Sequence, residues 1–519
     1  MKTDQKFALL SVYDKTGIVD FAKVLLKSGY TIISTGGTLK VLEENKIKVT
    51  PIEEVTGNPR DSFDGRMKTI SFQIESGILF DRKNPKHISE AQKLKVPQID
   101  IVVCNLYPFE ERPGIETIDV GGPTMIRAAA KNNSNVLVIV SPDDYGMVSD
   151  ALENGKVTEK LRKELASRAF YHLSFYDSQI GKFFSERDLP AGRQEFPKEL
   201  TIPLRRTNVL RYGENPHQEG ALYLMPKTNS PFAKLKHLWG RELSGTNIGD
   251  IQAGLETVRQ FSEPAAAVIK HLSPCGIATG KDSFEALFRA TEADPVSAFG
   301  GVIVLNKPMD LKAAKNIATF KNEREGNTDI VAVPSISPDA LELLKKVRKS
   351  MGVYTFGPIE NKRSERWDLK YFAGAVLLQD FDDNVQNCFK DWKIVTNKKP
   401  TEKQMEQMKF GFKAVKAVRS NAVIVIDKDI PMTRGIGSGQ TSRVGATKIA
   451  LEQAGNFTKG GILISDSFFP FEDSVEMSAK AGIVAIVEQG GSVNDRASID
   501  AADKANIPMV FTGRRAFRH

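Results

Sequence analysis

The chain has 519 residues, too many for one hydrophobic core, so two or more domains are expected. Its apolar fraction of 41% and charged fraction of 26% are those of a globular protein in water, and no apolar run is long enough to predict a membrane span. The net charge of +8 would suit nucleic acid, but the basic residues are dispersed among acidic ones, without an arginine-rich arm or an aromatic RNA-binding signature; pockets for small anionic ligands are the better reading.

The opening stretch, MKTDQKFALLSVYDKTG, lacks the apolar core and cleavage site of a signal peptide. Cys104, Cys275 and Cys388 lie too far apart for a disulfide framework, and a reduced, cytoplasmic setting is expected. KFALLSVY reads as a strand. GIVDFAKVLLKSG reads as an amphipathic helix with Ile18, Phe21, Leu25 and Leu26 on its apolar face and Gly29 as its cap. YTIIST is a second strand, followed by a helix TLKVLEENK entered through Gly36 and Gly37. IDIVVCNLY and NVLVIV are further strands, with PTMIRAAAKN a helix between them that opens on Pro123. Such alternation predicts a mostly parallel sheet covered on both faces.

A long helical pattern, TEKLRKELASRAFYHLSFYDSQIGKFFSE, precedes a stretch rich in proline and charge, RDLPAGRQEFPKELTIPLRR, which marks the domain junction. Strands and helices then resume. SAFGGVIVL and GIGSGQTSRV end in similar glycine-rich turns and suggest two related subdomains.

In the first domain, SVYDKTG sets Ser11, Lys15 and Thr16 where a strand meets a helix, and STGGT sets Thr35, Gly36, Gly37 and Thr38 at the next such junction. Either alone is ordinary turn chemistry. Together, at the strand ends of an open α/β sheet, they suit a phosphate. Arg66 and Lys68 in DGRMKTI would share one side of an extended segment. CNLYPF supplies Asn105 and Tyr107, and DVGGPTMIRAAAKN supplies Asp119, Gly121, Gly122 and Lys131. Backbone donors at the glycine pair would suit an oxyanion.

DKTG, STGGT, GRMKT, CNLYPF, DVGG and AAAKN, in that order, resemble the cyclohydrolase half of the bifunctional AICAR transformylase/IMP cyclohydrolases of purine synthesis. The resemblance implies a methylglyoxal-synthase-like domain over 1–195. A nucleotide phosphate would be held by Ser11, Lys15, Thr35, Gly37 and Thr38, with Arg66, Lys68, Thr69, Asn105, Tyr107, Asp119 and Lys131 around the reacting atoms. The implied reaction closes formyl-AICAR to IMP with loss of water. Lys131 and the Gly121–Gly122 backbone would steady the oxyanion, and Tyr107, Asp119 and Lys68 would move protons. The chain departs from the family pattern at Tyr13, where a small residue is usual, and at Ile70, Ser71 and Phe72, where Leu-His-Pro is usual.

Further on, VIKHLSPCGIATG sets Lys270 beside His271. A zinc deaminase would need a glutamate where Ser273 stands and a second cysteine after Cys275. A Cys275–His271 nucleophile pair is open, although apolar surroundings would quiet the thiol. The companions are LRYGENPHQ with Arg211 and Tyr212, DPVSAFGG with Phe299 and Gly300, KAVRSNAV with Asn421, GIGSGQTSRV with Arg443, DSFFPFEDSV with Phe471 and Asp473, and GRRAFRH with Arg515 and His519. Their order resembles the transformylase half of the same family.

That half implies two zinc-free cytidine-deaminase-like subdomains over 196–519, transferring formyl from 10-formyltetrahydrofolate to the AICAR amine. His271 would move the proton, Lys270 would steady the oxyanion or protonate the leaving nitrogen, and Asn421 would orient the formyl group. Arg211, Tyr212 and Arg515 would hold AICAR, Phe299 and Phe471 would pack on rings, and Asp473 would anchor the pterin. Gly300, Asp329, Arg443 and His519 join the substrate contacts. The resemblance further implies a homodimer, a potassium ion near the C-terminal subdomains, and no nucleic-acid or membrane partner. A narrower alternative is a transformylase whose N-terminal domain binds nucleotide without cyclising it. A sensor that binds without turnover is a third reading, which the Lys270–His271 pair disfavours.

Overall fold

The structure, a computed structural model, describes residues 5–59, 62–187, 196–324, 327–360, 365, 367–383 and 386–519. The chain forms two compact units, residues 1–205 with 225–227, and residues 206–224 with 228–519. Among the described residues no helix is long and apolar enough to cross a membrane.

The first unit is built on strands β1 (Lys6–Val12), β2 (Tyr30–Ser34), β3 (Val49–Pro51), β4 (Gln98–Asn105) and β5 (Leu137–Ile139), all parallel in the order β3-β2-β1-β4-β5. Helices α1 (Ile18–Lys27), α2 (Gly36–Glu44), α3 (Ile52–Thr56), α4 (Phe72–Leu79), α5 (Pro85–Lys93), α6 (Gly121–Lys131), α7 (Tyr145–Glu153) and α8 (Glu159–Arg187) connect and cover them. Strand β1 shows why its sequence is apolar almost throughout. Phe7 and Leu9 enter one core with Ile33 and Val102, while Ala8, Leu10 and Val12 enter the other with Ile32 and Val103.

Three local expectations are corrected. Helix α6 starts at Gly121, which puts Pro123 third rather than first. Ser28, not Gly29, caps α1, with Gly29 following at φ +87°. The stretch from Ser62 to Gly65 is a tight turn in which Phe63, Asp64 and Gly65 all adopt left-handed φ, so Arg66 and Lys68 leave a turn rather than an extended segment.

In the second unit a strand pair, β6 (Arg205–Val209) and β7 (Ala221–Leu224), precedes β8 (Lys236–Trp239). A first repeat then runs through α9 (Gly245–Val258), β9 (Ala265–Lys270), β10 (Ser273–Thr279), α10 (Ser283–Ala293), β11 (Gly301–Leu305), α11 (Leu311–Arg324), β12 (Thr328–Val333), α12 (Pro338–Val347) and β13 (Gly352–Thr355). After a hairpin, β14 (Trp367–Phe372) and β15 (Ala375–Asp380), comes β16 (Lys393–Ile394). The second repeat runs through α13 (Glu402–Val415), β17 (Val423–Ile426), β18 (Thr433–Gly437), α14 (Arg443–Ala454), β19 (Ile462–Ser465), α15 (Asp473–Ala481), β20 (Ala485–Glu488), α16 (Asp495–Lys504) and β21 (Met509–Phe511).

The two six-stranded sheets have the same plan. The first is β10-β9-β11-β12-β13-β8 and the second β18-β17-β19-β20-β21-β16, with antiparallel and parallel pairs in the same places. A shared core joins them: Ile251, Ile269 and Val302 meet Phe412, Ile424 and Ile464. Edge strands β10 and β18 also meet, the Ile277 amide donating to Thr433 Oγ1 at 3.0 Å and the Thr279 amide to Pro431 O at 3.0 Å.

The repeat is thus present, but not between the stretches whose glycines look alike. SAFGGVIVL leads into β11, whereas GIGSGQTSRV leads from β18 into α14. The counterpart of GGVIVL in β11 is GGILIS in β19, with Gly300 and Gly460 both at positive φ.

Candidate active sites

The first site forms at the C-terminal ends of β1, β2 and β4. Asn105 shapes the turn after β1: its Oδ1 accepts the Tyr13 amide at 2.7 Å and the Asp14 amide at 2.9 Å, and its Nδ2 donates to Asp14 O. Its side chain therefore builds the loop. Ser11 lies at the end of the same strand, part-exposed. Lys15 Nζ donates to Tyr13 O at 3.0 Å, and its Cε lies 3.4 Å from where a Gly37 Cβ would be. Thr38 Oγ1 is used by the Val12 amide and carbonyl. Thr35 is buried with an unpartnered hydroxyl and does not cap α2. A lysine, a buried hydroxyl without a partner among the described residues, and the first-turn amides of α2 are the donor types that a phosphate takes.

Beside it, Thr69 packs against Gly121, where a Cβ would collide with its hydroxyl. Lys68 lies over Gly65, and Arg66 pairs with Glu116 at 2.5 Å. Asp119 is mostly buried, and burial raises its carboxyl above the usual range. It accepts the Gly122 amide at 2.9 Å and the Gly121 amide as well. The glycine amides are thus hydrogen-bonded to Asp119. Tyr107 is half-exposed; burial first, then Asp119, raises its phenol. Its ring centroid is 5.2 Å from that of Tyr13, so Tyr13 forms an aromatic wall with Tyr107.

Lys131 is not brought to this cluster within the chain. It closes the eleven-residue helix whose first residue is Gly121, about 15 Å along the axis. At the other departure, Ser71 caps α4 by accepting the Ile74 amide. Tyr176 was not legible in the sequence: from α8 its hydroxyl accepts the Asp119 amide at 2.7 Å.

The second candidate site comprises the turn between β9 and edge strand β10 of the first repeat and the loop before β17 of the second. Lys270 ends β9, and its Nζ donates to Phe299 O at 2.8 Å. His271 and Leu272 form the two-residue link to β10, at φ +53° and +65°. Such turns favour Asn-Gly, and a bulky residue in this region costs about 1–2 kcal/mol. The Leu272 amide donates to Asp250 Oδ1 at 2.7 Å, and the His271 amide donates to the same carboxylate. Cys275 is buried, its thiol pushed up to about 12 chiefly by burial and donating to Ser297 O. Together these remove the Cys275–His271 nucleophile reading, since the imidazole stands on the exposed turn.

Asp294 Oδ1 accepts the Ser297 amide, which folds the loop bearing Phe299 and Gly300, while its Oδ2 accepts Gln453 Nε2 at 2.6 Å from the second repeat. Phe299 is half-exposed and Gly300 sits at φ +75°. In the second repeat the Asn421 amide and Nδ2 both donate to Gln440 O. The antiparallel contact of β10 with β18, Ala278 opposite Met432, directs the His271 turn toward the same end as Asn421 and Gln440.

Arg443 is placed differently from expectation. It is buried and held by Asp466 and Ala422 O, where it supports the loop before β17. Asp466 also accepts the Ser420 hydroxyl and the Ala422 amide, and its backbone takes the Ala516 amide. Arg211 stacks on Tyr212 and, with Arg241 and Lys349, lines a cavity of about 550 Å³. Asp329 pairs with Arg241 at 2.8 Å beside it. Phe471 is exposed at the mouth of the loop after β19, and Asp473 opens α15, where its Oδ1 accepts the Ser474 amide. Arg515 lies over the Phe517 ring, next to His519. Among the described residues no group of three His, Cys, Asp or Glu is placed to hold a metal ion.

A family described as AICARFT/IMPCHase bienzyme matches residues 129–453, and one described as MGS-like domain matches residues 17–143. The bifunctional purine biosynthesis protein PurH of Bacillus cereus (strain 03BB102) is 44% identical over 526 residues, covering 99% of this chain and 100% of that protein. The protein of the same name from Oceanobacillus iheyensis is 43% identical over 524 residues, again covering 99% and 100%. The crystal structure of ForH aligns with 35% of this chain and all of its own at 33% identity, with a TM-score of 0.33. This chain belongs to the AICARFT/IMPCHase bienzyme family.

Proposed function

We infer that the chain performs the two closing steps of IMP synthesis, formyl transfer to AICAR and dehydrative ring closure of the product. It uses a folate-type formyl donor, which we propose to be 10-formyltetrahydrofolate. We assign ring closure to 1–195 and formyl transfer to 196–519. The observation that carries the second assignment is the Lys270–His271 pair at the turn from β9 into edge strand β10, with its lysine tethered to the Phe299 carbonyl. The AICAR amine is a poor nucleophile because its lone pair delocalises into the ring. His271 removes its proton as it attacks the formyl carbon. Lys270 meets the oxyanion or protonates the departing folate nitrogen, and Asn421 orients the formyl group. The basic cavity of Arg211, Arg241 and Lys349 suits the nucleotide phosphate.

In the first unit, Lys15, Thr35 and the start of α2 take the phosphate, and Tyr107, Asp119 and Lys68 handle protons. With the Gly121 and Gly122 amides engaged by Asp119, we give the developing negative charge to Lys68. The narrower alternative, a first unit that binds without cyclising, draws on Tyr13 and the Ser71–Phe72 replacement. Formation of IMP from synthetic formyl-AICAR decides it: wild-type turnover supports ring closure, and tight binding without turnover supports the alternative.

We also propose a homodimer in the cytoplasm. Hairpin β14–β15 exposes Leu369, Tyr371, Phe372, Val376 and Leu377, and an isolated two-stranded hairpin is marginal in water, so this surface suits a second copy. The three cysteines are buried and free, as a reducing compartment permits. Potassium belongs to this reading as a structural ion of the second repeat, where, among the described residues, Ser474 Oγ and Ser498 Oγ are buried oxygens without hydrogen-bond partners.

A further inference from the structure

We propose that Asp250 is a positioning residue for formyl transfer, its carboxylate holding the Lys270–His271 turn in a backbone conformation that the turn's own residues disfavour. The inference rests on the reading that Lys270 and His271 carry that reaction. A two-residue strand link needs left-handed φ, which glycine and asparagine adopt readily and histidine and leucine do not. His271 and Leu272 nevertheless stand at φ +53° and +65°. Something outside the turn must hold it, and among the described residues the side chain that receives the turn amides is on α9. Asp250 Oδ1 accepts the Leu272 amide at 2.7 Å, and the carboxylate accepts the His271 amide too.

The approach is close. A Cβ on Gly249 would overlap Leu272, so the helix meets the hairpin tip through a residue without a side chain. Asp250 is only 5% exposed, and it forms no ion pair with a lysine or arginine among the described residues. A buried carboxylate that receives only backbone amides costs stability unless those bonds are kept. Its presence is intelligible as the fastening of a strained reactive turn. The turn fixes where the imidazole leaves the backbone, and Lys270, one residue earlier, is fixed from the other side by Phe299 O. A small rotation at 271 would move the proton acceptor away from the amine while leaving the nucleotide cavity of Arg211 and Arg241 intact.

The test measures both activities on one preparation of the full chain. Asp250→Ala is expected to lower kcat for formyl transfer about 100-fold, the effect of a small misplacement of reacting groups, with the KM for AICAR changed less than about threefold. IMP formation from formyl-AICAR, the internal check on folding, should be unchanged. Leu272→Gly in the Asp250→Ala background should restore kcat at least about tenfold, because glycine adopts the turn without the carboxylate. Asp250→Asn, which keeps an acceptor oxygen, should fall between; should Asp250→Ala be insoluble, it is read in the same way. Wild-type kcat in Asp250→Ala, a change confined to KM, or a loss that Leu272→Gly leaves untouched would each overturn the proposal. His271→Ala separates the two layers. Retained turnover there removes the reading and the proposal with it. Lost turnover in His271→Ala beside full turnover in Asp250→Ala removes the proposal alone.

Discussion

The two repeats of the C-terminal unit share strand order, strand sense and helix order, yet their equivalent connections do different work. Between β9 and β10 the link is two residues, His271 and Leu272, both in left-handed conformation. Between β17 and β18 it is six residues, Asp427 to Met432, folded around Asp427 and bearing no residue assigned to the chemistry. The second repeat instead contributes Asn421, before β17, and the aromatic loop after β19. Both repeats bring helix backbone onto an edge strand at a glycine: a Cβ on Gly276 would collide with Ala290 O in α10, and one on Gly435 with Ala450 O in α14. The scaffold is repeated because packing demands it. The chemistry diverges because loops are free to.

A second regularity crosses the comparison. In each repeat a buried acid grips the amides of a loop that bears assigned residues: Asp250 holds His271 and Leu272, Asp466 holds Ala422, and Glu488 takes the Phe469 amide at 2.6 Å. A carboxyl oxygen suits this because a buried loop amide left without an acceptor is costly.

The sharpest break in the comparison is at the reactive turn. His271→Ala should lower kcat for formyl transfer by about 10³-fold or more while IMP formation continues, and Lys270→Ala should behave similarly. Matching losses in both activities would show that the two units do not divide the work.

Next is the acid that supports the second repeat. Asp466→Ala leaves the Arg443 guanidinium buried without its partner and should cost about 3–5 kcal/mol, read as a lowered denaturation midpoint for the C-terminal unit. A loss below about 1 kcal/mol would mean that Arg443 finds water, and that the pair is not what supports the loop before β17.

A smaller effect is expected from Glu488, whose carboxyl is pushed up to about 8, first by burial. The native state keeps a proton that the unfolded chain releases above about pH 4.5. Stability from this group is therefore full at low pH, falls as pH rises toward 8, and is level beyond. Glu488→Gln should match the wild type near pH 5 and exceed its melting temperature near pH 8; parallel curves would remove the assigned shift. The smallest effect belongs to Cys275→Ala. With the thiol buried and pushed up to about 12, kcat should stay within about twofold, and a loss of a hundredfold would revive the thiol as nucleophile.

Much of this protein was written along the chain. The near-continuous apolar runs of β1 and β4 foretell strands buried on both faces, and their alternation with helical periods foretells the parallel sheet. STGGT and DKTG stand at strand ends, where an open sheet presents ligands. The order of short motifs was enough to identify the family. Tertiary structure decided the rest: that GGVIVL corresponds to GGILIS, that Asp119 occupies the glycine amides, that Lys131 lies at the far end of its helix, and that Arg443 faces inward. The acids that hold the loops were invisible for a physical reason. Periodicity and turn signals report contacts between near neighbours, whereas Asp250 meets Leu272 across 22 positions and Asp466 meets Ala422 across 44. Only folding sets the distance between such residues, and one buried acid looks in sequence like any solvated one.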